Sequence, residues 1–363
     1  MATSPDPAVT ASAVSWLPSW LLSWLLVALA CGLDRLLGDP RHWLHPVQVM
    51  GWVITGLRRR AEAWAGDRPG ALRLAGLLIT MLLVGGSAAA GLAVERLALV
   101  LPLLGLPLLL IALASALAGR SLEQAVESVL ASLDRGEMEQ ARERLGWIVG
   151  RDVEGLSEPD ILRAAAETAA ENAVDGLFGP LFWMLLGALL WPLGGPGPLA
   201  LAWAFKAAST LDSMLGYRRG RLRWLGTAGA RLDDGLTWLP CRLVALGLGL
   251  LQGHPLRLLR QARADGAPDP SPNAGVSQAA YAHATGLQLG GANRYGGQWV
   301  SKPVLGAGLG PVTATGVCRI LALSRTLEGL WLAVGLALAL PAGLKTAGLQ
   351  AAAGQLGSLP LPQ

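Results

Sequence analysis

The chain has 363 residues, of which 52% are hydrophobic and only 15% are charged. Soluble domains carry about 25% charged residues, so this composition predicts an integral membrane protein with a substantial polar part. The formal net charge of +4 does not require nucleic acid as a partner, because arginines beside apolar segments are explained by membrane orientation. Cys31, Cys241 and Cys318 are widely separated and lack the spacing of a disulfide framework or a zinc site.

The N-terminal part begins with a polar tail, residues 1–15, that we predict to be disordered. A first membrane span is predicted at residues 16–33. No Lys or Arg occurs in the first thirty residues, whereas a signal peptide begins with a basic region, so we interpret this run as a retained span. Residues 34–47 then bring two acids, two bases and two histidines to a membrane boundary. They form either a capping network or part of a site.

A basic loop follows, with Arg58, Arg59, Arg60, Arg68 and Arg73. Such loops are typical of the cytoplasmic side. Two spans are predicted at residues 74–94 and 97–118, joined by a tight turn that places residues 95–96 on the far side. Residues 120–175 predict three helices of a small cytoplasmic subdomain, with Ser157 and Pro159 at the start of the third.

The third of these helices carries the most distinctive pattern in the chain. At helical periodicity Glu167, Thr168, Glu171, Asn172 and Asp175 share one face, and small residues fill the other. Like charges four residues apart destabilise an exposed helix by a few tenths of a kcal/mol. A divalent cation is one source of compensation; a solvated acidic face is the alternative.

An interrupted apolar segment leads to a second polar motif. Residues 177–191 are too short for a perpendicular span, residues 192–198 break the pattern, and residues 199–205 resume it, which predicts a re-entrant or deeply buried helical hairpin. Lys206, Thr210, Ser213 and Tyr217 then form a helical stripe with Ser209 beside it, whereas Asp212 points elsewhere. Lys206 could also simply extend its ammonium group to the membrane interface.

Asp233 and Asp234 precede a predicted span at residues 236–251, which contains Arg242. These acids are either favourable charges at a helix N-terminus or ligands of a cation. If this span crosses the membrane fully, everything that follows lies opposite the acidic helix. One shared site would then require another re-entrant element or a site within the membrane plane.

The C-terminal part contains a predicted basic amphipathic helix at residues 254–265 and two irregular loops at residues 268–275 and 289–297. Gly-rich loops of this kind can hold phosphate through backbone N–H groups. A last span is predicted at residues 321–340, followed by a low-complexity tail.

These features predict an all-α, polytopic helical membrane protein with a cytoplasmic helical subdomain and re-entrant or broken helices. We divide the chain into a disordered tail (1–15), N-terminal membrane helices with a basic loop (16–118), the cytoplasmic subdomain (119–176), the hairpin, motif region and span (177–252), a substrate-loop region (253–320), and the last membrane helix with its tail (321–363).

Taken together and in order, the motifs over residues 25–340 resemble the CobD/CbiB family of cobalamin biosynthesis. Each motif is modest alone, but the ordered set is specific. One departure is the segment 268–270, where a more basic pair is expected. The matching positions are Asp34, Arg35, Gly38, Asp39, Pro40, His45, Pro46, Val47, Glu167, Thr168, Glu171, Asn172, Asp175, Gly176, Lys206, Ser209, Thr210, Asp212, Ser213, Met214, Gly216, Tyr217, Asp233, Asp234, Pro240, Arg242, Ser271, Pro272, Asn273, Ala274, Gly275, Gly290, Gly291, Asn293, Tyr295, Gly296 and Gly297.

The resemblance implies a ligase that joins a propionate carboxylate of adenosylcobyric acid to (R)-1-amino-2-propanol or its O-phosphate, with ATP and Mg²⁺. It further implies a multi-pass protein of the cytoplasmic (inner) membrane, in contact with the lipid bilayer. A homo-oligomer or a membrane partner from the same pathway is compatible with it, and nucleic acid is not expected. A corrinoid-binding or transport protein without catalysis is the alternative, and a structural scaffold is a third reading that leaves the acids unexplained.

We assign hypothetical roles on this basis, since activation of a carboxylate by ATP needs carboxylates for Mg²⁺ and cations near the phosphoryl group. The predicted metal ligands are Glu167, Glu171, Asp175, Asp233 and Asp234. The predicted catalytic residues are Lys206, Glu171, Asp175 and Arg242. The predicted nucleotide- or substrate-binding residues are Glu167, Thr168, Asn172, Ser209, Thr210, Asp212, Ser213, Tyr217, Ser271, Asn273, Gly275, Gly290, Gly291, Asn293 and Tyr295.

Overall fold

The computed structural model describes residues 19–39 and 44–357, and helices dominate it. Six helical segments are long and apolar enough to cross a membrane, which confirms the predicted polytopic helical membrane protein. They are Trp20–Leu37, Pro69–Val100, Pro102–Asp134, Glu158–Leu193, Thr227–Leu251 and Ala314–Leu338. The predicted disordered tail, the start of the first predicted span and residues 40–43 of the boundary segment lie outside the described residues.

The N-terminal helices are α1 (Ser19–Leu37), α2 (Pro46–Ala65), α3 (Pro69–Val100) and α4 (Pro102–Ala114). The predicted turn at residues 95–96 is wrong, because α3 continues to Val100. Glu95 is 1% exposed and accepts hydrogen bonds from the backbone N–H groups of Gly197, Leu199 and Ala200. The carboxylate therefore caps the start of another helix, where negative charge is stabilising, instead of marking the end of its own.

The predicted three-helix polar region is present as α5 (Gly119–Asp134), α6 (Met138–Gly146) and α7 (Glu158–Ala173). Pro159 lies in the first turn of α7, as expected for a residue without a backbone N–H. The small residues on the back of α7 are buried, and Ser277 donates to the carbonyl of Ala170 at 2.6 Å. The alanine face thus allows close packing of another helix.

Helix α7 does not end at its acidic motif. It passes through a π-helical turn, Val174–Phe178, directly into α8 (Gly179–Leu190). A 3₁₀ turn, Trp191–Leu193, and Gly194 with φ +81° then reverse the chain into α9 (Pro198–Leu215). A Cβ atom on Gly187 would lie 2.4 Å from the carbonyl oxygen of Gly197. This close approach joins α8 and α9 in the helical hairpin that the sequence predicts.

The short helix α10 (Leu222–Leu225) leads into α11 (Thr227–Leu251). Asp233 and Asp234 lie in the second turn of α11, so the interpretation of these acids as charges at the helix N-terminus is wrong. No acidic residue occupies the first turn. Helix α11 begins at Thr227, before the apolar stretch from which the span was predicted. Residues 227–232 are helical but not apolar enough to be predicted as part of a span.

The chain after α11 turns back at Gly253, which has φ +79°, into α12 (Pro255–Gly266) and α13 (Ala274–Thr285). A Cβ atom on Gly249 would lie 2.5 Å from Cα of Pro255, so α12 folds closely against α11. Asn273 Nδ2 then donates to the carbonyl of Asp234 at 2.9 Å. The chain that follows α11 therefore returns to the second turn of α11, which brings the start of α13 close to Asp234.

The segment predicted as an irregular loop at residues 289–297 is a β-hairpin, of strands β1 (Leu289–Tyr295) and β2 (Gln298–Leu305). Gly296 and Gly297 have φ of +55° and +79° and form the two-residue turn that hairpins favour. The register shifts between Gly290 and Gly291, as at a β-bulge. Helix α14 (Ala314–Gly357) begins earlier than predicted and continues through most of the predicted tail.

Candidate active site

Acidic side chains from three helices meet beside one lysine. Glu171 and Asp175 come from α7 and its π turn, Asp212 from α9, and Asp233 and Asp234 from α11. Asp175 is close enough to interact electrostatically with Asp233, Glu171, Lys206 and Asp212. All these side chains are partly accessible. We name this group of Glu171, Asp175, Lys206, Asp212, Asp233 and Asp234 the carboxylate pocket.

The π-helical turn positions Asp175 in this pocket. The carbonyl of Gly176 has no α-helical donor, because Pro180 four residues later lacks a backbone N–H, and it accepts a hydrogen bond from Ala118 N at 2.8 Å. The widened turn changes the direction of the side chains that follow Ala173, relative to a regular α-helix. Single π turns inside α-helices occur frequently at functional sites, which is consistent with a ligand-binding role for Asp175.

Asp212 joins the pocket, and the prediction that it points elsewhere is wrong. A Cβ atom on Gly216 would lie 2.0 Å from Oδ1 of Asp212, so the glycine provides the space in which this carboxylate folds. From there Asp212 interacts electrostatically with Asp233 and Asp234. Helical periodicity could not predict this position of Asp212, because it depends on Gly216, which lies one turn later and beyond the end of α9.

The hydroxyl groups of the predicted stripe are turned towards their own backbone. Thr210 donates to the carbonyl of Lys206 and Ser213 to the carbonyl of Thr210, at 2.6 Å and 3.0 Å. Tyr217 lies beyond the end of α9 and is 49% exposed, with the guanidinium group of Arg219 over its ring. Lys206 is therefore the member of this stripe that meets the acids, while Ser209 and Asn172 are half-buried nearby on α9 and α7.

The boundary segment forms the capping network that was one of its two predicted roles, and one of its acids also lies near Lys206. Asp34 is 2% exposed and accepts a hydrogen bond from Arg120 N at 3.2 Å, at the start of α5. Asp39 accepts from Ser121 Oγ at 2.8 Å and lies 3.3 Å from His45 Nε2. Burial by itself raises the pKa of Asp39, but the contacts with His45 and Ser121 hold it below its ordinary value. Asp39 also interacts with Lys206, which extends the carboxylate pocket towards α1.

Two residues at the pocket were absent from the predicted site. Gln278 Nε2 on α13 donates to Glu171 Oε2 at 2.6 Å. Lys302 on β2 is close enough to attract Glu171. The sequence contained a signal for Lys302. The pair Gly296 and Gly297 between two β-prone segments is typical of a hairpin, and the second strand of that hairpin carries Lys302 back alongside the first.

Glu167 occupies a different environment, and the structure does not support its assignment as a metal ligand. It is 2% exposed. Its carboxylate accepts hydrogen bonds from Arg151 at 2.5 Å, from Arg163 at 3.4 Å and from Gly290 N at 2.8 Å. The two arginines also donate to Asn293 Oδ1, at 2.8 Å and 3.2 Å. We name Arg151, Arg163, Glu167 and Asn293 the anchor network, because it fixes the hairpin to α7.

Other predicted binding residues are likewise used within the protein. Thr168 is 7% exposed and donates to the carbonyl of Ile148. Arg242 donates to Asn273 Oδ1 at 2.5 Å and to the carbonyl of Pro272 at 2.7 Å. Ser271 Oγ accepts from the N–H groups of Asn273 and Ala274. The predicted role of Arg242 in balancing phosphate charge is therefore not supported, since its guanidinium group holds the start of α13.

The predicted phosphate cradle at the glycine-rich segments is also wrong. Gly290 N donates to Glu167, and Gly296 N and Gly297 N donate to Asp152 at 2.9 Å and 2.7 Å. Gly291 has φ +95° and belongs to the bulge, and Tyr295 is a half-buried residue of β1. Gly275 allows α13 to pack on α12, where a Cβ atom would lie 2.7 Å from the carbonyl of Gly266. The amides of Gly290, Gly296 and Gly297 therefore already have acceptors within the protein.

A magnesium ion fits the carboxylate pocket if a substrate phosphate supplies some of its ligands. Within residues 19–39 and 44–357, no group of three His, Cys, Asp or Glu side chains has the geometry to hold a metal by itself. Mg²⁺, however, is usually bound by one or two carboxylates together with substrate phosphates and water. Asp233 Oδ1 is buried and has no hydrogen-bond partner in the described part of the chain. Such an acceptor suits a magnesium–phosphate complex but not a metal site made of protein alone.

Comparison with known proteins identifies the family. The model of the family described as "CobD/Cbib protein" matches residues 27–324. The chain belongs to the CobD/CbiB family. It is 45% identical over 314 residues to the cobalamin biosynthesis protein CobD of Synechocystis sp., covering 86% of this chain and 91% of that protein.

It is also 39% identical over 318 residues to the cobalamin biosynthesis protein CbiB of Salmonella typhimurium, covering 86% of this chain and 94% of that protein. The corresponding values for the cobalamin biosynthesis protein CobD of Klebsiella pneumoniae are 38% and 319 residues. No solved structure matches the chain. The assignment to cobalamin biosynthesis therefore rests on sequence, and the geometry described above is independent of it.

Proposed function

We propose that this CobD/CbiB protein is an ATP-dependent amide ligase of the cytoplasmic membrane. Its substrates are a propionate carboxylate of adenosylcobyric acid and the amine of (R)-1-amino-2-propanol or its O-phosphate. The names of the relatives support the pathway, and the carboxylate pocket supports the class of reaction. The observation that carries the proposal is the convergence of acids from α7, α9 and α11 on Lys206.

The reaction that we propose needs an activated carboxylate. A propionate oxygen attacks the γ-phosphorus of ATP, which releases ADP and leaves an acyl phosphate. The amine then attacks the acyl carbon, phosphate departs, and the amine nitrogen loses a proton. Catalysis of phosphoryl transfer consists mainly of positioning and charge stabilisation, so a lysine among carboxylates is suited to it.

We assign roles in this scheme to residues of the carboxylate pocket and to residues beside it. Lys206 stabilises negative charge on the transferring phosphoryl group, and Asp39 with His45 orients the ammonium group of Lys206. Asp175, Asp233 and Asp234 would hold Mg²⁺, which would neutralise phosphate charge when bound. Glu171, held by Gln278, would accept the proton that the amine loses. Lys302 on β2 attracts the anionic end of a substrate.

The proposal is tested with the full chain in nanodiscs, supplied with adenosylcobyric acid, ATP, Mg²⁺ and either aminopropanol or its phosphate. Mass spectrometry measures the amide product, and ADP is measured in parallel. We expect product in the wild type and loss of product in Asp175→Asn. Glu158→Gln, an exposed acid in the first turn of the same helix, is the control and should retain activity. Corrinoid binding without product would favour a binding or transport protein.

A further inference from the structure

A second polar cavity lies against the carboxylate pocket and has the opposite charge. It has a volume of about 340 Å³ and lies where α3, the α9–α10 connection and the start of α11 meet. Its charged lining consists of Arg73, Arg218, Arg223, Arg231 and Asp234. We name it the arginine pocket. Asp234 belongs to both pockets, so a ligand in one is adjacent to a ligand in the other.

The arginines of this pocket have no counter-ions of their own in the described part of the chain. The neighbouring Arg221, by contrast, pairs with Asp67 at 2.7 Å. Within the same described residues, Arg73, Arg223 and Arg231 form no ion pair, and Arg218 interacts only at longer range with Asp234. Four guanidinium groups facing one carboxylate leave an excess of positive charge, which an anionic ligand would neutralise.

Close contacts hold the backbone of the pocket walls, and two of the four exposed arginines also lie against an aromatic ring. Arg73 and Arg223 lie over the ring of Trp224, at 4.4 Å and 4.9 Å from its centroid. A Cβ atom on Gly226 would lie 1.9 Å from the carbonyl of Leu215, and one on Gly76 would lie 2.0 Å from that of Leu225. Backbone contacts this close hold the connection between α9 and α11 against α3.

The chemistry of the lining indicates the ligand. Planar guanidinium groups bind phosphate oxygens through paired hydrogen bonds, and four of them line this cavity. Small-molecule sites range from about 300 to 1,000 Å³. The arginine pocket is at the lower end, which suits the phosphate portion of a ligand and not a whole corrinoid.

We infer that the arginine pocket binds the phosphoryl groups of a soluble substrate, as a phosphate ester or anhydride, next to the carboxylate pocket. This inference rests on the proposed function, because that function supplies two such substrates: the nucleotide and the amino alcohol phosphate. The other source of the same chemistry is an anionic lipid headgroup, since arginines of this kind also occur at membrane surfaces. The experiment below distinguishes these sources.

The test measures equilibrium binding of inorganic tripolyphosphate to the full chain in nanodiscs of neutral phosphatidylcholine, without Mg²⁺ or corrinoid. The double variant Arg218→Gln and Arg231→Gln should weaken binding by about tenfold or more, since charge-assisted hydrogen bonds to phosphate are stronger than neutral ones. The control is Arg59→Gln with Arg60→Gln, which removes the same charge from exposed positions on α2 and should change the affinity less than twofold. Arg73→Gln on α3 gives a second, independent variant if the double variant does not fold.

Three results would overturn the inference. One is equal weakening by the pocket variant and the α2 control, which would indicate a general effect of charge. Another is unchanged binding in both pocket variants. The third is tripolyphosphate binding that disappears when an anionic lipid is added to the nanodiscs, with that lipid retained by the wild type and not by the pocket variants. The amide-product assay is separate from this measurement, so ligase activity and phosphate binding can each fail while the other succeeds.

Discussion

Glu167 and Glu171 lie one helical turn apart on α7, and their surroundings are opposite. Glu167 is enclosed by Arg151, Arg163 and the amide of Gly290. Glu171 has one amide donor, Gln278, and neighbouring carboxylates. In sequence the two residues look equivalent, since both belong to a single acidic face.

The difference is between a carboxylate whose charge is compensated by neighbouring donors and one whose neighbours include further carboxylates. A buried carboxylate is costly unless it is paired and hydrogen-bonded, and the anchor network meets that requirement completely. The carboxylate pocket does not, because its acids repel one another around one lysine. The repulsion among these carboxylates destabilises the folded protein. A bound cation with its phosphate ligand would offset that repulsion. We therefore expect substitutions in the two regions to affect different properties.

The largest expected effect is on activity, from Lys206→Met. Loss of a charge that stabilises a transition state costs on the order of 10²–10³-fold in rate, and Lys206 also neutralises Asp175 and Asp39 in the resting protein. We predict a loss of amide formation of about 10³-fold. Arg96→Met, at an exposed basic position on α3, is the control and should retain activity. Full activity in Lys206→Met would remove the lysine from the proposed chemistry.

The next effect is on stability, from Glu167→Gln. The change leaves Arg151, whose side chain is only 9% exposed, without its counter-charge. Breaking a buried pair in this way costs about 3–5 kcal/mol, so the thermal unfolding midpoint should fall clearly. Glu127→Gln is the matched control, because its ion pair with Arg120 is at 3.8 Å and its side chain is 47% exposed; such pairs contribute about 0–1 kcal/mol.

A substitution in the carboxylate pocket should have the opposite effects to Glu167→Gln in the anchor network: activity should fall while stability is retained. Asp233→Asn should leave the unfolding midpoint unchanged or raise it, since it removes repulsion between Asp233 and Asp212, while amide formation falls. If Asp233→Asn destabilises the protein as much as Glu167→Gln does, the distinction between the two regions is wrong.

Much of the fold could be predicted from sequence because it follows from local patterns. Apolar segments of sufficient length, Pro159 at a helix start and the break at residues 192–198 each indicate an element without reference to its neighbours. Acids that are close in sequence, such as Glu171 and Asp175, were correctly expected to face the same side. The placement of Lys206 with them could not be derived from periodicity, since it depends on how α9 packs.

The sequence could not separate the acids of the carboxylate pocket from those held by internal hydrogen bonds, for a physical reason. Glu167 becomes structural only because Arg151 and the hairpin reach it, and the hairpin is 123 residues away at Gly290. Asp212 enters the pocket only because Gly216 lacks a side chain. In both cases the deciding contact is a tertiary one. Glycine-rich segments were misread for the same reason, because their N–H groups bind carboxylates of the protein.

A moderate effect is expected from Asn273→Ala, which breaks the connection between α11 and α13. Asn273 is 5% exposed, accepts from Arg242 and donates to the carbonyl of Asp234. Leaving such partners unsatisfied costs about 1–3 kcal/mol, and the lost contact should also loosen Asp234 in both pockets. Gln252→Ala, with a 3.5 Å surface contact to Arg319, is the control. An unchanged unfolding midpoint in Asn273→Ala would show that this connection is not needed.

The smallest expected effect is a local one, at the tip of the β-hairpin. The amides of Gly297 and Gly296 donate to Asp152, and with Arg294 they hold the pKa of this carboxyl below its ordinary value. A lowered pKa in the folded state means that Asp152 stabilises the tip above pH about 4, the ordinary aspartate value, and that this stabilisation is lost as the pH falls through the lowered value. Hydrogen exchange at Gly296 and Gly297, corrected with an unstructured peptide, should therefore show protection that decreases in acid. Asp152→Asn should show weak protection at every pH, because a neutral amide oxygen is a poorer acceptor than a carboxylate. Protection that decreases in acid to the same extent in Asp152→Asn would mean that another group, and not Asp152, controls the tip.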